Sequence, residues 1–210
     1  MDSFIYLASQ SPRRQELLNQ IGVKFELLLA DASEDAESLE AHITGEPALS
    51  YVERVTLAKL EAAHQRLQKR HLPWAPILCA DTTVAIILHD EEIILGKPED
   101  ASDAERILQI LSGKTHQVHT AIALLATENA KPRVLVSSSS VTFKSLSDPE
   151  IDAYIASKEP MGKAGAYGIQ GIAGSLISHI SGSFSSIMGL PLYETAQLLQ
   201  ETGIKFSIQA

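Results

Sequence analysis

Residues 9–14 read Ser-Gln-Ser-Pro-Arg-Arg, a polar run between the apolar stretch Phe4 to Ala8 and a segment with apolar residues at helical spacing. If Ser11 caps that helix and Pro12 takes its first position, Arg13 and Arg14 fall in the first turn, beside backbone N–H groups that lack helical partners. Two guanidiniums there oppose the helix dipole at about 0.3–1 kcal/mol each, and a bound phosphate reverses that cost. The plain alternative is a surface turn with two solvated arginines. Asp81 is the second residue with chemical promise, because it is the single charge between Pro76 and Leu88. A carboxylate in such surroundings is paired, protonated or bound to a metal. Thr82 and Thr83 place hydroxyls beside it.

Other candidates are weaker alone. Glu34 lies in an acidic stretch and reads either as a second metal ligand or as part of a solvated loop. Lys59 sits on the apolar side of a long helix and Lys97 in a Gly96-Lys97-Pro98 turn; in isolation both read as solvated lysines. Gln170 falls in a glycine-rich segment, where its amide can accept and donate at once and so read the edge of a base. Several rival motifs fail. Gly113-Lys114-Thr115 resembles the end of a P-loop, but Leu108 stands where its first glycine is required. Glycines 165, 168 and 171 do not match the dinucleotide fingerprint, and no G-x-S-x-G elbow exists. His116 and His119 point to opposite faces of a strand and Cys79 has no cysteine partner, which argues against structural zinc.

The elements that must position these residues alternate between strand and helix patterns. Phe4–Ala8, the VKFELLL run and the stretch 76–88 read as strands, the last as a central one covered on both faces. His116–Thr127 and Arg133–Phe143 read as neighbouring strands joined by a polar turn, and SLISHI as a further strand. Helices are expected after Pro12, closing at Gly22, and over 46–72, where Leu49, Val52, Val55, Leu60, Ala63 and Leu67 recur at helical intervals. The second is long enough to form a partly separate lobe. Further helices are expected before Gly113, after Ser147 and before Gly203, and the segment 162–174, with five glycines, reads as a shaped loop. The order implies one α/β domain over residues 1–210.

Composition sets the outer limits. The 210 residues are 45% hydrophobic and 20% charged, which supports a packed core. Lys+Arg 17 against Asp+Glu 26 gives a net charge of −9, which argues against coating of a nucleic acid polymer but leaves room for a small anion on a local basic cluster. A single cysteine excludes an internal disulfide. Met1-Asp2-Ser3 lacks the flank of a signal peptide and no run approaches a membrane span, so a reducing cytoplasm is the expected compartment.

Read in order, YLASQSPRR, ERVTLAK, CADT, LGKP, SGKTHQVHT, KEPMGKAGAYGIQG and GSFSSIMGLPLYET resemble the Maf family of nucleoside triphosphate pyrophosphatases over nearly the whole chain, and KAGAYGIQG resembles its dTTP/UTP branch. The resemblance implies a mixed, twisted central sheet flanked by helices, ITPase-like, elongated and two-lobed, with the nucleotide in a cleft and often a homodimer. It also implies roles. Ser9, Arg13, Arg14, Lys59 and Lys97 would bind phosphates, Asp81 would act as catalytic base, and Glu34 would join Asp81 in holding Mg2+ or Mn2+. Arg13, Thr82 and Gln170 would choose the base, Gln170 by accepting from N3–H and donating to O4 of uracil or thymine, and a flipped amide would fit cytosine, and so CTP, as well. Gly162 departs from the acidic residue common in relatives and is expected to alter the hydrogen bonding of Lys163; the stretch from Ser33 to Gly45 also departs. Competing readings are a nucleotide-binding regulator of septum formation with little turnover, and a pyrophosphatase of methylated GTP or related purines.

Overall fold

The apolar run 76–88 forms the longest strand of the protein, and the rest of the chain is arranged on it. A computed structural model describes residues 4–31, 34–35 and 38–207; the Met1-Asp2-Ser3 start and Ser33 of the acidic stretch lie outside the described residues. The strands are β1 (Ile5–Leu7), β2 (Phe25–Leu27), β3 (Ile77–Leu88), β4 (Glu91–Leu95), β5 (Thr115–Leu125), β6 (Arg133–Phe143) and β7 (Ile177–Ser181). They make one mixed sheet in the order β2-β1-β3-β5-β6-β7, with β4 paired to β3. β1 runs parallel to β2 and β3, and the remaining pairs are antiparallel.

Two strands share the edge of β3 that faces away from β5. β1 covers only its start, with Tyr6 opposite Ile77 and Leu7 opposite Leu78. β4 covers only its end, from Val84 opposite Leu95 to Leu88 opposite Glu91. Among the described residues none pairs with 79–83 on that side. Asp81 and Thr82 fall in this gap and, because strand side chains alternate, face opposite sides of the sheet.

Helices α1 (Pro12–Gln20), α3 (Ala101–Leu111), α4 (Asp148–Ala156), α5 (Phe184–Met188) and α6 (Leu192–Glu201) pack against one face, where Leu18, Leu108, Ile151 and Leu199 join Leu78, Val84 and Ile122 in the larger core. Helix α2 (Ala48–Lys69) covers the other, with Leu60, Ala63 and Leu67 against Tyr6, Ile77, Cys79, Ala123 and Leu125. α2 therefore does not stand apart as a lobe; it lies on β3 and β5 and makes the second core. Among the described residues no helix is long and apolar enough to cross a membrane.

The expected stop signals hold: Gly22, Gly113 and Gly203 take left-handed backbone after α1, α3 and α6. Ser147 opens α4 in a capping box with Glu150. β4 and α5 are the elements without a sequence signal. The hairpin turn at His89 and Asp90 uses two positive φ values, 52° and 66°, without a glycine to announce them. α5 has five residues, too few to show a period. His116 and His119 do take opposite faces. His116 is buried in an edge-on cluster with Phe143 and Tyr167, and burial pushes it down to about 4, so it is a neutral core histidine; His119 meets Ser138 at 2.8 Å.

The glycine-rich segment forms two 3-10 turns, Ala164–Ala166 and Ile172–Ser175. Gly165 has φ 68°, and its N–H donates to the Gly96 carbonyl at 3.0 Å, seating the loop against the turn of Lys97. A Cβ here would lie 2.8 Å from Val84 Cγ2. Gly165→Ala therefore combines backbone strain with overlap, on the order of 2 kcal/mol, and should lower the melting midpoint by roughly 4–8 °C in a calorimetric scan. An unchanged midpoint would show that β3 yields at Val84.

Candidate active site

Chain leaving β1 turns at Ser9 into α1, which brings the phosphate-loop residues alongside the gap in β3. Pro12 is the first residue of α1, as expected, but Ser11 makes no side-chain cap. Ser9 braces the turn that precedes the helix: its hydroxyl accepts from Ser11 N–H at 3.2 Å and from Arg14 Nη1 at 3.1 Å. Arg14 is fixed further by Nε to Gly189 O at 2.8 Å and Nη2 to Thr82 Oγ1 at 3.4 Å, and Arg13 by Nε to Met188 O at 3.2 Å. Burial lowers both guanidinium pKa values. Behind Thr82 runs a chain of hydroxyls: Thr82 Oγ1 lies 3.0 Å from Thr120 Oγ1, which donates to Ser186 O at 2.8 Å.

On the α2 face, Asp81 meets Lys59. The ammonium Nζ lies 2.6 Å from Asp81 Oδ1 and 2.8 Å from Oε1 of Glu40, on the 3-10 turn Ser38–Glu40. Glu40 also takes Lys97, at 2.8 and 3.1 Å. Burial pushes the Glu40 carboxyl up, and the two lysines outweigh it, so that it is held below the usual carboxylate range. The segment carrying Glu40 is tied to α2 by Tyr51 Oη to Glu40 O at 3.0 Å and Arg54 Nη2 to Ala41 O at 3.0 Å.

Ser9, Arg13, Arg14, Lys59 and Lys97 all line one cleft of about 980 Å³, and Asp81, Thr82, Glu34 and Gln170 line the same cleft. That volume suits a ligand of nucleotide size. The side chains of Asp81 and Lys59 are 13% and 20% exposed, accessible enough to meet a ligand. Glu34 is brought to the cleft but not to Asp81's partner. Arg66 holds it in a fork, Nε to Oε1 at 2.8 Å and Nη2 to Oε2 at 2.7 Å, and these bonds keep its pKa below the usual range. The acid that shares Lys59 with Asp81 is Glu40. Nothing in the acidic stretch distinguishes the two by sequence.

Among the described residues no group of three His, Cys, Asp or Glu could hold a metal. Asp81 and Glu40, gathered on one ammonium, are a two-carboxylate set, which suits Mg2+ because that ion binds through one or two carboxylates and completes its shell with water and substrate phosphate oxygens. Two residues behind the cleft wall carry no sequence signal: Thr120, ordinary in a strand, lies against Thr82, and Glu159 lies against the glycine-rich segment. Lys163 also lines the cleft, and its Nζ donates to the carbonyl of Glu159; Gly162 beside it takes φ 71°. Burial and the neighbouring charge of Arg13 lower the pKa of Lys163.

The family model described as Maf-like protein matches residues 4–202. A relative from Albidiferax ferrireducens named "dTTP/UTP pyrophosphatase" is 57% identical over 205 residues, covering 98% of this chain and 100% of that one. Relatives of the same name from Cupriavidus metallidurans and Ralstonia nicotianae are 56% and 57% identical, over 98% and 95% of this chain and 100% and 94% of their own.

Glu40 occupies two ammoniums that would otherwise face an anion. Glu40→Gln should tighten the binding of inorganic tripolyphosphate, without divalent metal, by about three- to tenfold in titration calorimetry. Unchanged affinity would mean that Glu40 does not compete for the lysines.

Proposed function

The chain belongs to the Maf family, and from that premise we propose that it is a nucleoside triphosphate pyrophosphatase that hydrolyses dTTP and UTP to the monophosphate and pyrophosphate. The observation that carries this reading is the convergence of Arg13, Arg14, Lys59 and Lys97 with Asp81 on one cleft. A triphosphate carries about four negative charges, and cations fixed before it arrives stabilise charge on the transferring group without reorganising.

The residues divide the work. Arg13 and Arg14, already anchored by carbonyls and hydroxyls, receive phosphate oxygens at the mouth of α1. Lys59 and Lys97 reach the same anion by exchanging Glu40 for it. Asp81 accepts the proton of a water as its oxygen bonds to the α-phosphorus; the bond from that phosphorus to the bridging oxygen breaks, and its electron pair leaves with pyrophosphate. Asp81 and Glu40 are the residues we assign to a Mg2+ or Mn2+ ion, with Glu34 kept to its pairing with Arg66. When bound, such an ion lowers the pKa of water and offsets phosphate charge. Gln170, exposed on the cleft wall, reads the imide edge of the pyrimidine, with Arg13 and Thr82 beside the same space. All of these residues lie in one copy of the chain, so the assignment holds for a monomer as for a homodimer, and the buried Cys79 suits a reducing cytoplasm.

Pyrophosphate release measured with dTTP, UTP, CTP, GTP and ATP plus Mg2+ should rank dTTP and UTP first; release from none would overturn the enzyme reading, and purine preference would move the chain to another branch. Asp81→Asn should lower kcat by roughly 10²–10⁴-fold with nucleotide binding kept. Near-normal turnover would remove Asp81 as base. Gln170→Ala should narrow the preference for dTTP and UTP over GTP while leaving tripolyphosphate inhibition unchanged.

A further inference from the structure

Gln170 stands on a loop whose neighbours Tyr167, Ile169 and Ala173 pack into the larger core, and the backbone around it is tied from below to one carboxylate. α4 ends at Ala156, and Lys158 then takes a left-handed turn, φ 61°, that sends the chain back toward the glycine-rich segment. The next side chain, Glu159, lies under that segment. Its Oε2 accepts from Ile172 N–H at 2.8 Å, and its Oε1 from Ala173 N–H at 3.2 Å and from Tyr154 Oη at 3.0 Å. The Tyr154 oxygen in turn accepts from Gly168 N–H at 3.3 Å, and Tyr154 itself is buried. The directions agree throughout: Gly168 donates to Tyr154, Tyr154 to Glu159, and the amides of Ile172 and Ala173 to the same carboxylate.

These contacts close on both sides of Gln170. Only residues 169–171 lie between the two clamped points, and they are constrained as well. Ile169 is buried, and Gly171 N–H donates to Gly168 O at 3.0 Å. A Cβ on Gly171 would sit 2.3 Å from Glu159 Oε2, so the backbone approaches the carboxylate as closely as a glycine allows. Gln170 is the side chain left to face the cleft. The main-chain oxygen of Glu159 also accepts from Lys163 Nζ, which ties the start of the same loop to the same residue.

We propose that Glu159 is the positioning residue for Gln170, fixing through its carboxylate and Tyr154 the loop that presents the amide to the pyrimidine edge. The proposal rests on the reading of Gln170 given above. A glutamine in place of Glu159 turns one acceptor into an N–H2 group facing an N–H or O–H donor, so the clamp opens on one side while volume is conserved. The phosphate sites lie on α1, α2 and the Lys97 turn and keep their own partners.

Steady-state kinetics of Glu159→Gln should therefore show KM for dTTP and UTP raised by about tenfold, kcat within about twofold, and an unchanged inhibition constant for inorganic tripolyphosphate. Tyr154→Phe, which removes the hydroxyl between Glu159 and Gly168 and keeps the Ile172 and Ala173 bonds, should give the same pattern at about threefold, and it decides the matter if Glu159→Gln does not fold by circular dichroism. An unchanged KM, or KM and tripolyphosphate inhibition weakened together as in general damage, overturns the proposal. Gln170→Ala is measured alongside. If it shifts the nucleotide ranking and the Glu159 and Tyr154 variants do not, the clamp is wrong and the reading of Gln170 stands; if it shifts nothing, that reading fails and the clamp falls with it.

Discussion

A strand has two edges, and each backbone N–H or carbonyl on an edge can join only one ladder. β3 gives one edge entirely to β5 and divides the other between β1 at its start and β4 at its end. The chain cannot close the interval between them without lengthening one of those strands, so a notch opens beside residues 79–83. Arg13, Arg14, Lys59, Lys97 and Gln170 line the cleft that includes Asp81 and Thr82 at that notch. The strand that borders it is buried on both faces, so it holds Asp81 and Thr82 rigidly and aims one toward α2 and the other toward α1 and α5.

A protein of net charge −9 must gather its cations locally to bind an anion, and here the gathering uses both layers of helices. α1 brings Arg13 and Arg14 from one face, and α2 brings Lys59 from the other, one residue before the fully buried Leu60 that sets the helix in its core. The acidic segment over this cleft is stapled at both ends, by Glu34 on Arg66 and by Glu46 on Arg54, and between the staples it lowers Glu40 onto the lysines.

Much of this was legible in the sequence because the signals were local. A lone carboxylate in an apolar run, a proline before paired arginines, and glycines after helical periods each follow from the physics of a few neighbouring residues, and Asp81, Pro12 and Gly22 behave accordingly. What escaped depends on distant partners. Glu34 and Glu40 look alike in an acidic stretch, and only the fold decides that one meets Arg66 and the other Lys59, 32 and 19 positions away. Thr120 is unremarkable until Thr82 and Ser186 are brought to it, and Ser9 is tied to the Arg14 side chain while Ser11 makes no side-chain cap. β4 was hidden by a turn whose left-handed residues are His89 and Asp90.

The two kinds of cation in the cleft are anchored differently. Among the described residues, Arg13 and Arg14 are held by neutral oxygens, those of Met188, Gly189, Ser9 and Thr82, whereas Lys59 and Lys97 are held by carboxylates. Neutral anchors fix a guanidinium without cancelling its charge. The arginine end thus presents positive charge that is less compensated, while the charge at the lysine end is shared with Asp81 and Glu40. An anion beside α1 meets guanidiniums that no internal carboxylate hydrogen-bonds among the described residues, whereas across the sheet it must take the place of one.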